Sequence, residues 1–186
     1  TNDQGNTGLG GALSNTQDVD IVINNANSPP VNTVPGAQVT GEDVNLTITG
    51  LSILDPDAGA GIIRVTFSVG SNATLQVGSV TNGTITGNNT NSVIIDAPLA
   101  NINTTLAGAS GLTYKPNLNT FGDDTLTVVT NDLGNTGQPG ALTDTDTVAI
   151  TVTAINDPPV NPVPGTQTTN EDTGIVISGL SIDDVD

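Results

Sequence analysis

Apolar residues in this chain come in short alternating runs. Val148, Ile150 and Val152 alternate with polar positions, and so do Val19, Ile21 and Ile23. Successive side chains of a strand point to opposite faces, so each run predicts a strand with one buried face. Comparable runs at 44–49, 62–69, 73–77, 92–96, 112–114 and 126–130 predict further strands. Short strands at this spacing, separated by Gly, Asn and Pro, predict an all-β fold, an antiparallel Greek-key sandwich. Its expected core takes Ile62, Val65, Phe67, Leu112, Tyr114, Leu126, Val128, Val148, Ile150 and Val152. One segment departs from the pattern. Leu99, Ile102 and Leu106 follow Pro98 at helical spacing, which predicts one short helix with the proline in its first turn.

The chain also repeats itself. Residues 1–57 lie over 130–186 without a gap, at an offset of 129, with 32 identities. Thr1-Asn2-Asp3 returns as Thr130-Asn131-Asp132, and Gly50-Leu51-Ser52-Ile53 as Gly179-Leu180-Ser181-Ile182. Matching of that extent marks tandem modules. Proline pairs cannot continue a helix or donate to a sheet ladder, so Pro29-Pro30 and Pro158-Pro159 read as extended linkers. This phase makes 1–27 the end of one module, 28–156 a complete module and 157–186 the head of a third. On that expectation the sequence is a window on a longer polymer.

Composition narrows the chemistry. Nineteen acids face two bases, Arg64 and Lys115, for a net charge of −17, and His, Cys, Met and Trp are absent. Without imidazole or thiolate the common general bases, nucleophiles and zinc ligands are missing, so no enzyme is expected. Two cations cannot build a nucleic-acid face. No apolar run approaches a membrane span, and the first residues do not read as a signal peptide.

The acids gather near the proposed module ends: Glu42-Asp43 and Glu171-Asp172, Asp55-Pro56-Asp57 and Asp184-Val185-Asp186, and Asn156-Asp157 at the second linker. Oxygen-only donors in loops suit a hard cation, above all Ca²⁺, whereas Mg²⁺ prefers fewer protein ligands and retained water. Asp residues also begin turns and keep an acidic protein soluble, which is the plainer reading of any single one. Asp144 and Asp146, placed on the outward face of the last strand, and Asp18 and Asp20 are read as solvated charges.

The run from Leu126 to Gly134, then Thr145 to Val152, then Asn156-Asp157-Pro158-Pro159-Val160, resembles the end of a cadherin-type repeat and its linker. Nearly the whole chain is similar to the cadherin-like tandem repeats of giant bacterial surface adhesins and RTX-type secreted proteins. Asn170-Glu171-Asp172-Thr173 and the strand Phe121-Gly122-Asp123-Asp124-Thr125-Leu126-Thr127-Val128 carry that similarity. The resemblance implies cadherin- or immunoglobulin-like sandwich modules with calcium at their junctions. Glu42, Asn156, Asp157, Asp184 and Asp186 would then meet at the second junction, and Asn27, Asp55, Asp57 and Asp132 at the first. Ser28 stands where the repeat-mate has Asp157, and the family's Asp-x-Glu motif is missing, with Asp124 as a substitute.

These readings lead to an extracellular structural role: a calcium-stiffened stalk or fibre of a bacterial surface adhesin or sheath. Its modules would contact neighbouring copies and a cell-surface or matrix ligand. With no cysteine, rigidity has to come from metal and packing. Two alternatives stay open. One is a carbohydrate-binding module, which would need exposed aromatic side chains in a chain that has three aromatics. The other is a filament subunit in which the runs at 19–23 and 160–182 pair with a neighbouring copy by strand complementation.

Overall fold

The computed structural model describes residues 1, 2, 4, 8–23 and 26–186. Among these, eleven strands and one helix follow in chain order: β1 (Val31–Thr33), β2 (Gln38–Gly41), β3 (Leu46–Ile48), β4 (Ser52–Leu54), β5 (Ile62–Ser68), β6 (Ala73–Val77), β7 (Thr84–Thr86), β8 (Ser92–Pro98), α1 (Leu99–Ala107), β9 (Leu112–Pro116), β10 (Gly122–Asn131) and β11 (Thr143–Thr153). β2-β11-β10-β5-β8-β7 form a six-stranded sheet, β3-β9-β6 a three-stranded one, and β1 pairs with β4. The chain is therefore all-β but for one short helix, its sheets packed as a sandwich.

Core side chains come from both sheets. Val65, Phe67, Leu126, Val128, Val148, Ile150 and Val152 line the larger sheet's inner face, and Leu112 and Tyr114 the smaller's, all fully buried or nearly so. Ile62 is a correction. It is 47% exposed, and Ile63 takes the core position. The parity of β5 follows from Arg64, which sits on the outer face and pairs with Asp96 through Nε and Nη2 at 2.8 and 2.9 Å. Turning Ile62 inward would bring that charge in with it, and an unpaired buried charge is far costlier than an exposed Ile.

Four further expectations change. β2 runs parallel to β11, Ile150 facing Gln38 and Thr153 facing Gly41, so the large sheet is mixed. Pro35 and Gly36 interrupt the chain between β1 and β2, which both run alongside β11: Asn32 N–H donates to Asp144 Oδ2 (2.7 Å) near the start of β11, and β2 pairs with its end. Asp144 and Asp146 share the parity of Val148 and lie half-buried on its side of β11, not outward. Val19, Ile21 and Ile23 form no strand and are 82–90% exposed, and no strand among the described residues flanks them as β10 and β2 flank β11. Pro98 sits one residue before the helix, at its N-cap, and Ile102 and Leu106 face the core as their spacing requires.

Contacts recur 129 residues apart. Asn2 bridges Ser14 as Asn131 pairs with Thr143, and Val160 bridges Asp183 as Val31 pairs with Leu54. Thr40 Oγ1 donates to Val44 O (3.0 Å), and Thr169 Oγ1 to Thr173 O (2.8 Å). Positive φ occurs at Asp43 and Asp172, and at Gly50 and Gly179. Asp3, the counterpart of Asp132, lies outside the described residues.

Candidate metal centre

β10 and β11 form one antiparallel ladder from Gly122 opposite Val152 to Asn131 opposite Thr143. At about 3.4 Å per residue it separates two ends of the sandwich by roughly 30 Å. Residues 27 and 28 reach the sandwich at the Asn131–Thr143 end, here called the entry end. Residue 153 leaves it at the exit end. Both ends are acidic.

At the entry end the turn after β10 places Asp132, 1% exposed, beneath Asn27. Asp132 Oδ1 accepts the amides of Gly134 (2.9 Å) and Leu142 (2.8 Å), and Oδ2 accepts Asn27 Nδ2 (2.7 Å). Asn27 also donates through Nδ2 to Gly140 O (2.5 Å) and through its backbone N–H to Gln138 O (3.0 Å). After β4 the chain turns on Asp55, whose Oδ1 accepts the amides of Asp57 (3.2 Å) and Ala58 (3.1 Å). Asp57 Oδ2 accepts Ser28 N–H (3.0 Å), and Thr136 Oγ1 donates to Asp57 O (2.8 Å), which ties the two acidic turns together.

Two oxygens remain. Asp55 Oδ2 and Asp57 Oδ1 are buried without a partner, although Asp55 is only 6% exposed. Burial, then its neighbour Asp57, holds the Asp55 carboxyl above the usual carboxylate range. Buried carboxylate oxygens without donors are the condition a bound cation relieves, and the set of carboxylates, a side-chain amide and backbone carbonyls is the one Ca²⁺ takes. The donor types therefore fit that ion, with Asp55 and Asp57 supplying the unpartnered oxygens.

At the exit end Glu42 is 3% exposed, and its Oε1 accepts Ile155 N–H (2.7 Å). Asp157 N–H donates to Asp186 Oδ2 (2.9 Å), and Asp186 N–H to Asp184 Oδ1 (3.5 Å), the same pattern as Ser28, Asp57 and Asp55. The Asp157 carboxyl is raised by desolvation and by the charges of Asp43, Asp186, Glu42 and Asp184. The backbone amide of Asp157 instead lowers Asp186. Four acids thus act on Asp157 through their charge, and all four are negative. Arg64 is committed to Asp96.

Of the residues singled out from sequence, Asn27 meets Asp132, Asp55 meets Asp57, and Glu42, Asp157, Asp184 and Asp186 share one electrostatic neighbourhood. Asn156 is exposed, its amide donating only to Asp157 O (3.2 Å). Among the described residues no three acidic side chains stand close enough together to hold an ion by themselves. Asp124 is spoken for: Tyr114 Oη donates to Oδ2 (3.0 Å), and Gly70 N–H (2.9 Å) and Thr125 N–H (2.7 Å) to Oδ1. Asp43, one of the acids that the sequence gathers near the module ends but outside the ligand set implied by the resemblance, joins the exit cluster. No helix among the described residues is long and apolar enough to cross a membrane. The chain matches no protein-family model and no curated protein.

Proposed function

We propose that this chain is a non-catalytic, calcium-stiffened stretch of an extracellular stalk or fibre, built from Greek-key, cadherin-like modules repeating every 129 residues. Residues 28–156 are one module, 1–27 belong to the one before and 157–186 to the one after. The recurrence of the Ser28–Asp57–Asp55 contacts at Asp157–Asp186–Asp184 carries the reading: the same acidic turn meets the linker at each junction. Each module end supplies half of a site. Glu42 and Asp43 come from the upstream module, the linker adds Asn156 and Asp157, and the downstream turn adds Asp184 and Asp186. Calcium bound there neutralises acids that otherwise repel one another and fixes the linker between modules.

A carbohydrate-binding role would rest on the cleft of about 200 Å³ lined by Phe121, Asp123 and Asn72. Its volume is below the range of sites that enclose a ligand, and its polar pair, buried Tyr114 and half-buried Asp124, is already satisfied within the protein. Strand complementation would use the exposed apolar side chains of Val163, Leu180 and Ile182. The recurrence of contacts within one chain favours tandem modules over it.

The test is a protein of two complete modules, studied by titration calorimetry with calcium and by small-angle scattering with and without chelator. Expected are calcium binding at the junction and, on chelation, a broadened distribution of maximum dimensions. A metal that binds only the folded state adds about 2.7 kcal/mol at a hundredfold excess over Kd, so melting should also fall in chelator. No binding and an unchanged scattering profile would reject the calcium reading.

A further inference from the structure

The loop between β9 and β10 is tightly held yet presents its largest side chains to solvent. Asn117 N–H donates to Asn72 O (2.9 Å) and Asn117 Nδ2 to Ser71 O (3.2 Å), while Asn119 N–H donates to Asp43 Oδ1 (2.9 Å). Despite this anchoring Leu118 is 79% exposed and Phe121 60%. A chain with three aromatics, two of them buried, places the third on this rim. Val44 and Ile155, also exposed, flank Gly41, two residues before Asp43: a Cβ on Gly41 would meet Ile155 Cδ1 at 2.6 Å and Val44 Cγ2 at 3.6 Å. An apolar rim thus borders Glu42 and Asp43 where the linker leaves.

The repeat offset identifies what lies across that rim. Asn27 and Ser28 are the counterparts of Asn156 and Asp157, and at the entry end Asn27 is fastened to Gln138 O and Gly140 O. Asp157 in turn lies in the field of Asp43, which holds Asn119. On the tandem reading one linker is thus tied to both places, which brings the loop 117–121 of one module to the same junction as the loop 133–140 of the next. Around Gly140 there is open space, and Leu133 is 44% exposed.

We infer that Leu118 and Phe121 dock on the 133–140 loop of the following copy of the module, an apolar contact beside the acidic junction that sets the angle between modules. The inference rests on the tandem reading above. It makes the linker a two-part joint, in which the cation holds the acids together and the apolar rim decides the direction in which the next module points.

The absence of cysteine gives a clean test. Among the described residues the buried aliphatic and aromatic core side chains all lie between Ile48 and Val152, so one module carries its own core. Asp186 is the counterpart of Asp57, so residues 28–186 continued by 58–156 give two complete modules around the natural second junction. Leu118→Cys in the first module is combined with Gln138→Cys in the second, or with Thr86→Cys as a distant control, and treated with a short bis-maleimide. Calcium binding to the same proteins is followed by calorimetry. If the loops are in contact, the Leu118–Gln138 pair should couple on the order of tenfold faster than the control, because contact raises the effective concentration of the thiols. Calcium binding with equal coupling rates would overturn the docking and leave the calcium linker standing. Preferential coupling without calcium binding would do the reverse.

Discussion

Replacing Asp132 by alanine removes an acceptor that serves three donors at once. Two are backbone amides, Gly134 and Leu142, which close the β10–β11 turn, and the third is the amide of Asn27, which fastens the linker. The site is 1% exposed, so water cannot readily take over. A buried donor left unpaired costs about 1–3 kcal/mol, and the three share one cavity, so a total of roughly 3–5 kcal/mol is expected. For a module of this size that lowers the melting temperature by about 10–20 °C. Asp132→Asn separates hydrogen bonding from charge, since Oδ1 still accepts both backbone amides and only the bond to Asn27 is lost, whose Nδ2 remains held by Gly140 O. Its cost should stay near 1 kcal/mol. The assay is urea denaturation in chelator, where no metal contributes, followed by the same titration in calcium. Alanine and asparagine should differ strongly in chelator, and both should lose calcium response. An alanine variant within about 1 kcal/mol of the parent in chelator would refute the argument that Asp132 serves first as an internal acceptor.

Other outcomes follow from the same contacts. Ile63→Ala should destabilise by about 2–5 kcal/mol and Ile62→Ala by well under 1, measured by urea midpoints; the opposite order would reverse the parity assigned to β5. Asp55→Asn should act with opposite signs: burial raises the Asp55 carboxyl, so its ionised form works against the fold as pH rises above the ordinary carboxylate range. The variant should be more stable than the parent in chelator at neutral pH and gain less from calcium, as melting curves in both conditions would show. Tyr114→Phe leaves Asp124 Oδ2 without its donor and should cost about 1–2 kcal/mol. Burial, with Asp124 beside it, also raises the Tyr114 hydroxyl above its ordinary value near 10, so its share of stability is present below that pH and lost above it. Phenolate absorbance should therefore grow in step with unfolding during alkaline titration, and ionisation ahead of unfolding would contradict it.

Where the sequence could be read, a side chain had one environment available. Val148, Ile150 and Val152 alternate cleanly with threonines and alanine, so their face was unambiguous. Ile62 and Ile63 are adjacent and both apolar, and only the partner of Arg64, Asp96 on another strand, decides between them. β1, β2, β4 and β7 hold three or four residues each, too few for an alternation to stand out, and pairing from flanking strands defines them. The acidic turns were legible as local motifs because Asp55 accepts the backbone amides two and three residues after it. That Asp43 belongs with Asp157 depends on the path of the linker, more than a hundred residues away, and no local pattern encodes such a distance. Asp124 was open to a metal role on its sequence neighbours alone, yet Tyr114, ten residues earlier, claims it.

The parallel pairing of β2 with β11 has a mechanical consequence. In a chain of such modules a pulling force enters ahead of β1 and leaves beyond β11, so β2 is drawn toward one end of the sandwich and β11 toward the other. Their bonds, from Gln38 opposite Ile150 to Gly41 opposite Thr153, lie across that direction and are loaded together in shear. Had the two strands been antiparallel neighbours joined at one end, the same force would open the bonds one after another. A module built this way resists traction as a set, and it yields only when the whole edge gives.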